Sequence, residues 1–143
     1  MNRYVLDPNV AAKWFLPAAQ EPLVPEARKI LKDHTDGAIG LFVPDLFWCE
    51  IGNVLWKSVR VGRISRNSAQ DALANLAAQQ LATFRSLTLL DDAFAIASAF
   101  DRSFYDSVYV ALAIATRRLL ITADERLANA LAARFPVRWL GSL

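Results

Sequence analysis

Apolar residues along the chain alternate between short continuous runs and longer stretches with helical spacing. Arg3 to Leu6 is a short apolar run that reads as a buried strand. Asp7-Pro8-Asn9 then has the form of a helix start, an acid at the cap followed by proline at the first helical position. Val10, Trp14 and Phe15 continue that spacing, and Pro22 to Lys32 predicts a second amphipathic helix ended by the polar His34-Thr35-Asp36-Gly37. Ile39 to Val43 predicts a second strand, stopped by Pro44-Asp45. Leu46 to Val59 predicts a helix with Trp48, Ile51, Leu55 and Val59 on one face, broken at Gly62. A further helix is expected over Ser65 to Leu81, a third strand over Phe84 to Leu90, and a helix over Asp91 to Phe100 capped by Asp91 or Asp92. Ser103 to Arg117 predicts a long Ala-rich helix, Leu119 to Thr122 a fourth strand, Asp124 to Phe135 a helix and Val137 to Leu140 a last strand.

Short apolar strands separated by helices are the pattern of βαβ units, in which a parallel sheet is covered on both faces. The fold class is therefore α/β, with ligands expected beyond the carboxyl ends of the strands. The order of the strands does not follow from periodicity. With no repeat, linker or low-complexity tract, residues 1–143 read as a single domain.

Composition narrows the chemistry. Hydrophobic residues are 55% and charged ones 21%, which argues against intrinsic disorder. Cys49 is the one cysteine, so no internal disulfide forms and a reducing compartment is expected. The longest uncharged stretches, Ala72 to Phe84 and Ser107 to Thr116, are shorter than a membrane span, and the N-terminus carries no signal-peptide core. A cytoplasmic location is expected. The net charge of +2 says little about partners. Of the sixteen basic residues only Lys13, Lys29, Lys32 and Lys57 are lysines, and arginine suits phosphate recognition through its planar fork. His34 is the one histidine, which excludes a His pair and disfavours a His-containing triad or a zinc site.

Four acids stand out by position. Asp7 ends the first strand, and Asp124 lies just past the fourth, so a parallel sheet would bring both to one rim. Asp106 lies near the start of the Ser103 helix. Each of these has a structural use as well. Asp7 is a good cap, Ser103-Phe104-Tyr105-Asp106 has capping-box spacing, and Thr122-Ala123-Asp124-Glu125 is a capping box with Asp124 in the first turn. Glu50 is different: it is mid-helix in a run with almost no other charge, so it should be exposed, paired or bound to a cation. Asn53, one turn on, is placed to share a polar pocket with it. Were all four to converge, their repulsion would raise their pKa values, and a hard divalent cation would relieve it. An oxygen-only donor set suits Mg²⁺ or Mn²⁺, and such an ion serves hydrolysis of phosphate esters.

Four segments resemble the motifs of the PIN-domain ribonucleases, and among these the VapC-type toxins of toxin–antitoxin pairs. They are Tyr4-Val5-Leu6-Asp7-Pro8-Asn9-Val10-Ala11-Ala12-Lys13-Trp14-Phe15; Pro44-Asp45-Leu46 with Glu50-Ile51-Gly52-Asn53-Val54-Leu55; Tyr105-Asp106-Ser107-Val108-Tyr109-Val110-Ala111-Leu112-Ala113; and Leu120-Ile121-Thr122-Ala123-Asp124-Glu125-Arg126-Leu127. Their order and intervals match over essentially the whole chain. Pro8 departs from the small residue many relatives carry, and leaves the Asp7 side chain free. The resemblance implies a three-layer α/β/α sandwich with a mainly parallel five-stranded sheet. It implies that Asp7, Glu50, Asp106 and Asp124 form an acidic Mg²⁺ site, supported by Asn9 and Thr122. The implied activity is in-line hydrolysis of RNA by activated water, leaving a 5′-phosphate and a 3′-hydroxyl. Asp7, Asp106 and Asp124 would be the main ligands. Glu50 would either bind through water or orient the attacking water. The resemblance also implies a cognate antitoxin that docks in an apolar groove, and homodimers.

Arg60, Arg63 and Arg66 recur every three residues near the end of the Glu50 helix and are candidates for holding the RNA backbone. Arg117-Arg118 lies about 15 Å of helix away from Asp106, off the catalytic rim. Trp14, Phe15, Trp48 and Trp56 are numerous for one domain and serve either the core or a groove. A receiver domain or a dehalogenase-like phosphatase would need a late lysine, and the last lysine is Lys57. Two other readings stay open at the level of sequence: a non-catalytic binding module with an acidic pocket, and a PIN nuclease of general RNA processing.

Overall fold

The computed structural model describes residues 1–143. Strand β1 (Asn2–Leu6) is the centre of a five-stranded sheet, with β2 (Ile39–Pro44) and then β3 (Ala82–Phe84) on one side, and β4 (Leu119–Thr122) and then β5 (Val137–Trp139) on the other. Every pairing is parallel; β1 meets β2 at Val5↔Phe42 and β4 at Leu6↔Ile121. Parallel neighbours need crossovers, and helices supply them. They are α1 (Pro8–Ala12) and α2 (Val24–Thr35), α3 (Leu46–Arg60) and α4 (Arg66–Ala77), α5 (Leu90–Phe100) and α6 (Phe104–Thr116), and α7 (Glu125–Leu131). None is long and apolar enough to cross a membrane.

Successive strand residues point to opposite faces, yet Val5, Leu6, Leu120 and Ile121 are all fully buried. Both faces of the sheet are therefore covered, as the apolar runs predicted. Helix α6 is buried on every side from Ser107 to Ala113 and packs on β1, β2, β4 and α5. A helix this enclosed has a fixed axis, so the residues of its first turn are fixed too. The chain leaves β1 toward β2 and later returns on the opposite side at β4. That reversal opens a crevice at the carboxyl ends of β1 and β4.

Side-chain caps set the helix starts. Asp7 accepts from the Asn9 N–H at 3.3 Å, Ser65 from the Ser68 N–H at 3.1 Å, Ser103 from the Asp106 N–H at 3.0 Å and Asp124 from the Leu127 N–H at 3.1 Å. The cap of α7 is thus Asp124, two residues later than the expected box at Thr122, because the Thr122 hydroxyl is engaged elsewhere. Neither Asp91 nor Asp92 caps α5; both lie in its first turn.

The third strand departs most from the sequence reading. It occupies Ala82–Phe84, and Ser86–Leu89 forms a 3₁₀ turn where a strand was expected. The alternation of Ser86, Leu87, Thr88 and Leu89 imitates a strand. However, the Asp45 carboxylate accepts from both the N–H and the hydroxyl of Ser86, while the Asp45 N–H takes the Phe84 carbonyl. Those bonds end the ladder at Phe84 and turn the chain away. Helix α4 ends at Ala77, before a turn with Gln80 at φ 56°, and α7 ends at Leu131, leaving Phe135 to pack edge-on against Phe100.

Ser103 joins the fold to the site, because its cap fixes the turn that carries Asp106. Ser103→Ala is expected to lower unfolding stability by about 1 kcal/mol in urea titration, and Ser103→Asp to retain most of it.

Candidate active site

At the carboxyl ends of β1 and β4 lies an open cleft of about 560 Å³, bordered by Asp7, Asn9, Glu50, Asp106 and Asp124. Each acid arrives there by a different local rule. Asp7 is the cap after β1, Asp124 the cap after β4, and Asp106 lies in the first turn of α6. Glu50 projects from the second turn of α3, past the reach of a cap.

The floor is a hydrogen-bond network centred on the fully buried Thr122. Its hydroxyl accepts from Asn9 Nδ2 at 3.3 Å and from the Asp124 N–H at 3.1 Å. Both acceptor positions are then used, so its proton goes to Asp7 Oδ2 at 3.0 Å. Asn9 also accepts from the Ala123 N–H at 3.0 Å, and the Asp7 N–H donates to the Ile121 carbonyl at 3.1 Å. The ends of β1 and β4 are thereby locked together, with the Asp7 carboxylate held in one orientation.

Burial dominates the electrostatics. The Asp7 carboxyl is pushed up to about 7 by desolvation, with Asp106 and Glu50 adding to the rise and the bonds from Asn9 and Thr122 opposing it. Glu50 is raised by desolvation and by Asp106, and Asp106 by desolvation and by Asp124. Behind Glu50 lies Tyr109, only 2% exposed, whose phenol is raised by burial and by the surrounding carboxylates. The phenol is close enough to Glu50 to offset part of its rise, yet the two are not aligned for a hydrogen bond. Glu50 Oε1 and the Tyr109 hydroxyl are both enclosed without a partner.

This donor set fits a hard divalent cation. It offers carboxylate oxygen with no imidazole or thiolate, its carboxylates raise one another, and one buried Glu50 oxygen is unpaired. The four carboxylates face the same cleft without any three gathering into a ready-made metal cage.

The three candidate arginines part company. Arg63 borders the cleft, where its Nε donates to Gln20 Oε1 at 2.9 Å and its Nη2 lies 3.8 Å from Glu21. Arg60 lies over the Trp56 ring at 5.5 Å, and Arg66 borders a separate apolar groove between α3 and α4. The turn after Gly62 separates them. Asn53 is exposed and shares a shallow depression with Glu50 and Tyr105. Trp14 and Trp48 are structural, donating to the Ala27 carbonyl and to Thr83, whereas Trp56 is 55% exposed beside the groove.

Three residues of the site carry no role in the sequence reading: Tyr109, Glu21 and Lys13. Glu21 reaches the cleft through an irregular turn at Leu23, φ 59°, which no periodicity announces. Tyr109 is hidden among the buried residues of α6. Lys13 had a signal, a lone charge between Val10 and Leu16, of the same kind that singled out Glu50.

Two outcomes test this geometry. Thr122→Val leaves Asp7 Oδ2, Asn9 Nδ2 and the Asp124 N–H without their shared partner, and should cost about 2–3 kcal/mol in urea unfolding, with Thr122→Ser costing less. Asp7 holds its proton up to about pH 7 when folded but only to about 3.8 when unfolded, so the folded state binds more protons in that window. Stability in EDTA should therefore fall as pH rises from about 4 to 7, by up to about 1.4 kcal/mol per pH unit. Asp7→Asn should flatten the slope.

The PIN domain profile matches residues 4–131 of the chain. Ribonuclease VapC3 of Pyrobaculum aerophilum is 34% identical over 109 residues, covering 74% of this chain and 83% of that protein. Among solved structures, PAE2754 from Pyrobaculum aerophilum superposes with a TM-score of 0.71 at 22% identity, covering 99% of this chain and 85% of that one. A toxin–antitoxin complex from Klebsiella pneumoniae gives 0.63 at 16% identity, covering 94% and 95% respectively. VapBC2 from Rickettsia felis, bound to a DNA fragment from its promoter, gives 0.64 at 10% identity, covering 96% and 98%. With its order of strands, its acid-lined crevice and these relatives, the chain belongs to the PIN-domain family and is of the VapC type.

Proposed function

We propose that the chain is a Mg²⁺-dependent endoribonuclease and the toxin of a toxin–antitoxin pair. The observation that carries this reading is the convergence of Asp7, Glu50, Asp106 and Asp124 on one cleft, at the switch point of the sheet, with no histidine among them. Asp7, Asp106 and Asp124 would hold the ion, with Glu50 beside them. Mg²⁺, or Mn²⁺ in its place, supplies an activated water for attack on a phosphodiester and offsets charge on the phosphoryl oxygens.

The protein's own residues prepare that chemistry. Thr122 and Asn9 orient Asp7, so ligand geometry does not have to be found anew for each ion. Burial holds Glu50 above the usual carboxylate range, which suits it to orient a water and take its proton. Arg63 is the candidate arginine that borders the cleft and is assigned to the RNA backbone; Arg60 and Arg66 are set aside. Cleavage would leave a 5′-phosphate and a 3′-hydroxyl. A protein of the same fold from Klebsiella is part of a toxin–antitoxin complex, and that likeness supports a cognate antitoxin as partner. A homodimer is proposed on the same family grounds.

The test is cleavage of a defined panel of tRNA and rRNA fragments in Mg²⁺, in Mn²⁺ and in EDTA. The expected result is cutting that requires metal and falls on the order of 100-fold or more in Asp7→Asn. Intact RNA after incubation with a folded protein in either metal would overturn the reading.

A further inference from the structure

Lys13 is the anomaly of the cleft. It closes the five-residue helix that Asp7 opens, and its N–H donates to the Val10 carbonyl at 3.1 Å. It borders the cleft, yet it is only 5% exposed. Its ammonium makes no side-chain hydrogen bond and belongs to none of the three ion pairs, which are Lys29–Asp33, Lys32–Asp36 and Arg63–Glu21. It is also absent from the enclosed unpaired polar atoms, so it retains an opening to solvent, and that opening is the cleft. Burying an ammonium without a partner is unfavourable, and five carboxylates, Asp7, Glu21, Glu50, Asp106 and Asp124, border the same space. None comes within 4.0 Å of it. The other cation there, Arg63, has Gln20 and Glu21 as partners, so Lys13 is the cleft cation that has none.

A buried, unpartnered ammonium beside carboxylates assigned to a divalent cation is placed to hold an anion that also meets that cation. We infer that Lys13 is a substrate-binding residue whose ammonium donates to a non-bridging oxygen of an RNA backbone phosphate in the cleft. The assignment rests on the ribonuclease reading. The six steps from Asp7 to Lys13 rise about 9 Å along the helix, which separates the two groups at their backbones. The phosphate would face Lys13 on one side and the carboxylates assigned to the ion on the other. A lysine serves here as a point charge, and the burial of its stem fixes where that charge sits.

Lys13→Met keeps the unbranched apolar stem and removes the charge; Lys13→Arg keeps the charge. With the RNA fragment that the wild-type protein cuts fastest, Lys13→Met should lower kcat/KM roughly 10- to 100-fold, and Lys13→Arg should recover part of the loss. A second readout is independent of turnover: the affinity for a fluorescein-labelled single-stranded RNA, followed by anisotropy in Ca²⁺ over a range of salt. The slope of log affinity against log salt should become shallower by about 0.7 in Lys13→Met, the loss of one phosphate contact. An unchanged slope and unchanged kcat/KM beside an active wild type would overturn the assignment and leave the ribonuclease reading intact. Failure of both variants to unfold cooperatively would overturn it as well, by making Lys13 a structural residue. A wild-type protein that neither binds nor cuts RNA would overturn both readings together.

Discussion

One hydroxyl group determines the geometry of this protein's functional end. Thr122 has one proton to give and two lone pairs to fill, and its three neighbours require all of them. Asn9 and the Asp124 backbone donate, so Asp7 must receive. The consequence extends beyond one carboxylate. The ends of β1 and β4 are joined only by this network and by the Asp7 N–H bond to Ile121, since the β1–β4 register stops at Leu6. Without the network Asp7 and Asp124 would lose their shared anchor, whereas Asp106 and Glu50 would still be placed by α6 and α3.

The structural and chemical uses of the acids are not rivals. Asp7 and Asp124 cap helices, and Asp106 lies in a first turn whose dipole favours it. Caps are where a parallel α/β sheet can present carboxylates at the carboxyl ends of its strands, so the cap places the acid and the cleft makes use of it. The stabilisation a cap supplies is nevertheless outweighed at Asp7. Two hydrogen bonds favour its ionised form, but burial and the neighbouring carboxylates lift it to about 7. Asp7, Glu50 and Asp106 are each raised by burial and by a neighbouring carboxylate, a penalty that a divalent cation among them would relieve.

Most elements were legible because their physics is local. Apolar runs gave β1, β2, β4 and β5, and caps gave the starts of α1 and α6. The order of the strands was not legible, because pairing depends on contacts between residues far apart in sequence, such as Leu6 with Ile121. The third strand was misread for the same reason: the bonds from Asp45 to Ser86, forty-one positions apart, override a local alternation. The three arginines illustrate the limit of spacing arguments. A regular interval of three suggests one face, but the chain turns at Gly62, and only Arg63 borders the cleft, while Arg60 lies over Trp56 and Arg66 borders the groove that Trp56 lines.

Glu50 and Lys13 carried the same signal in the sequence, a lone charge in an apolar run, and the fold treats them alike. Both border one cleft, Lys13 buried and Glu50 half-buried, and neither forms an ion pair. Opposite charges withdrawn from water offset part of that loss by pairing. They sit on neighbouring elements: Lys13 closes α1 and Glu50 lies in the second turn of α3, which packs against α1. A pair in contact would withdraw both groups from any ligand. On the proposed reading, the separation would leave Glu50 free for a cation and Lys13 free for a phosphate, which a direct pair would exclude.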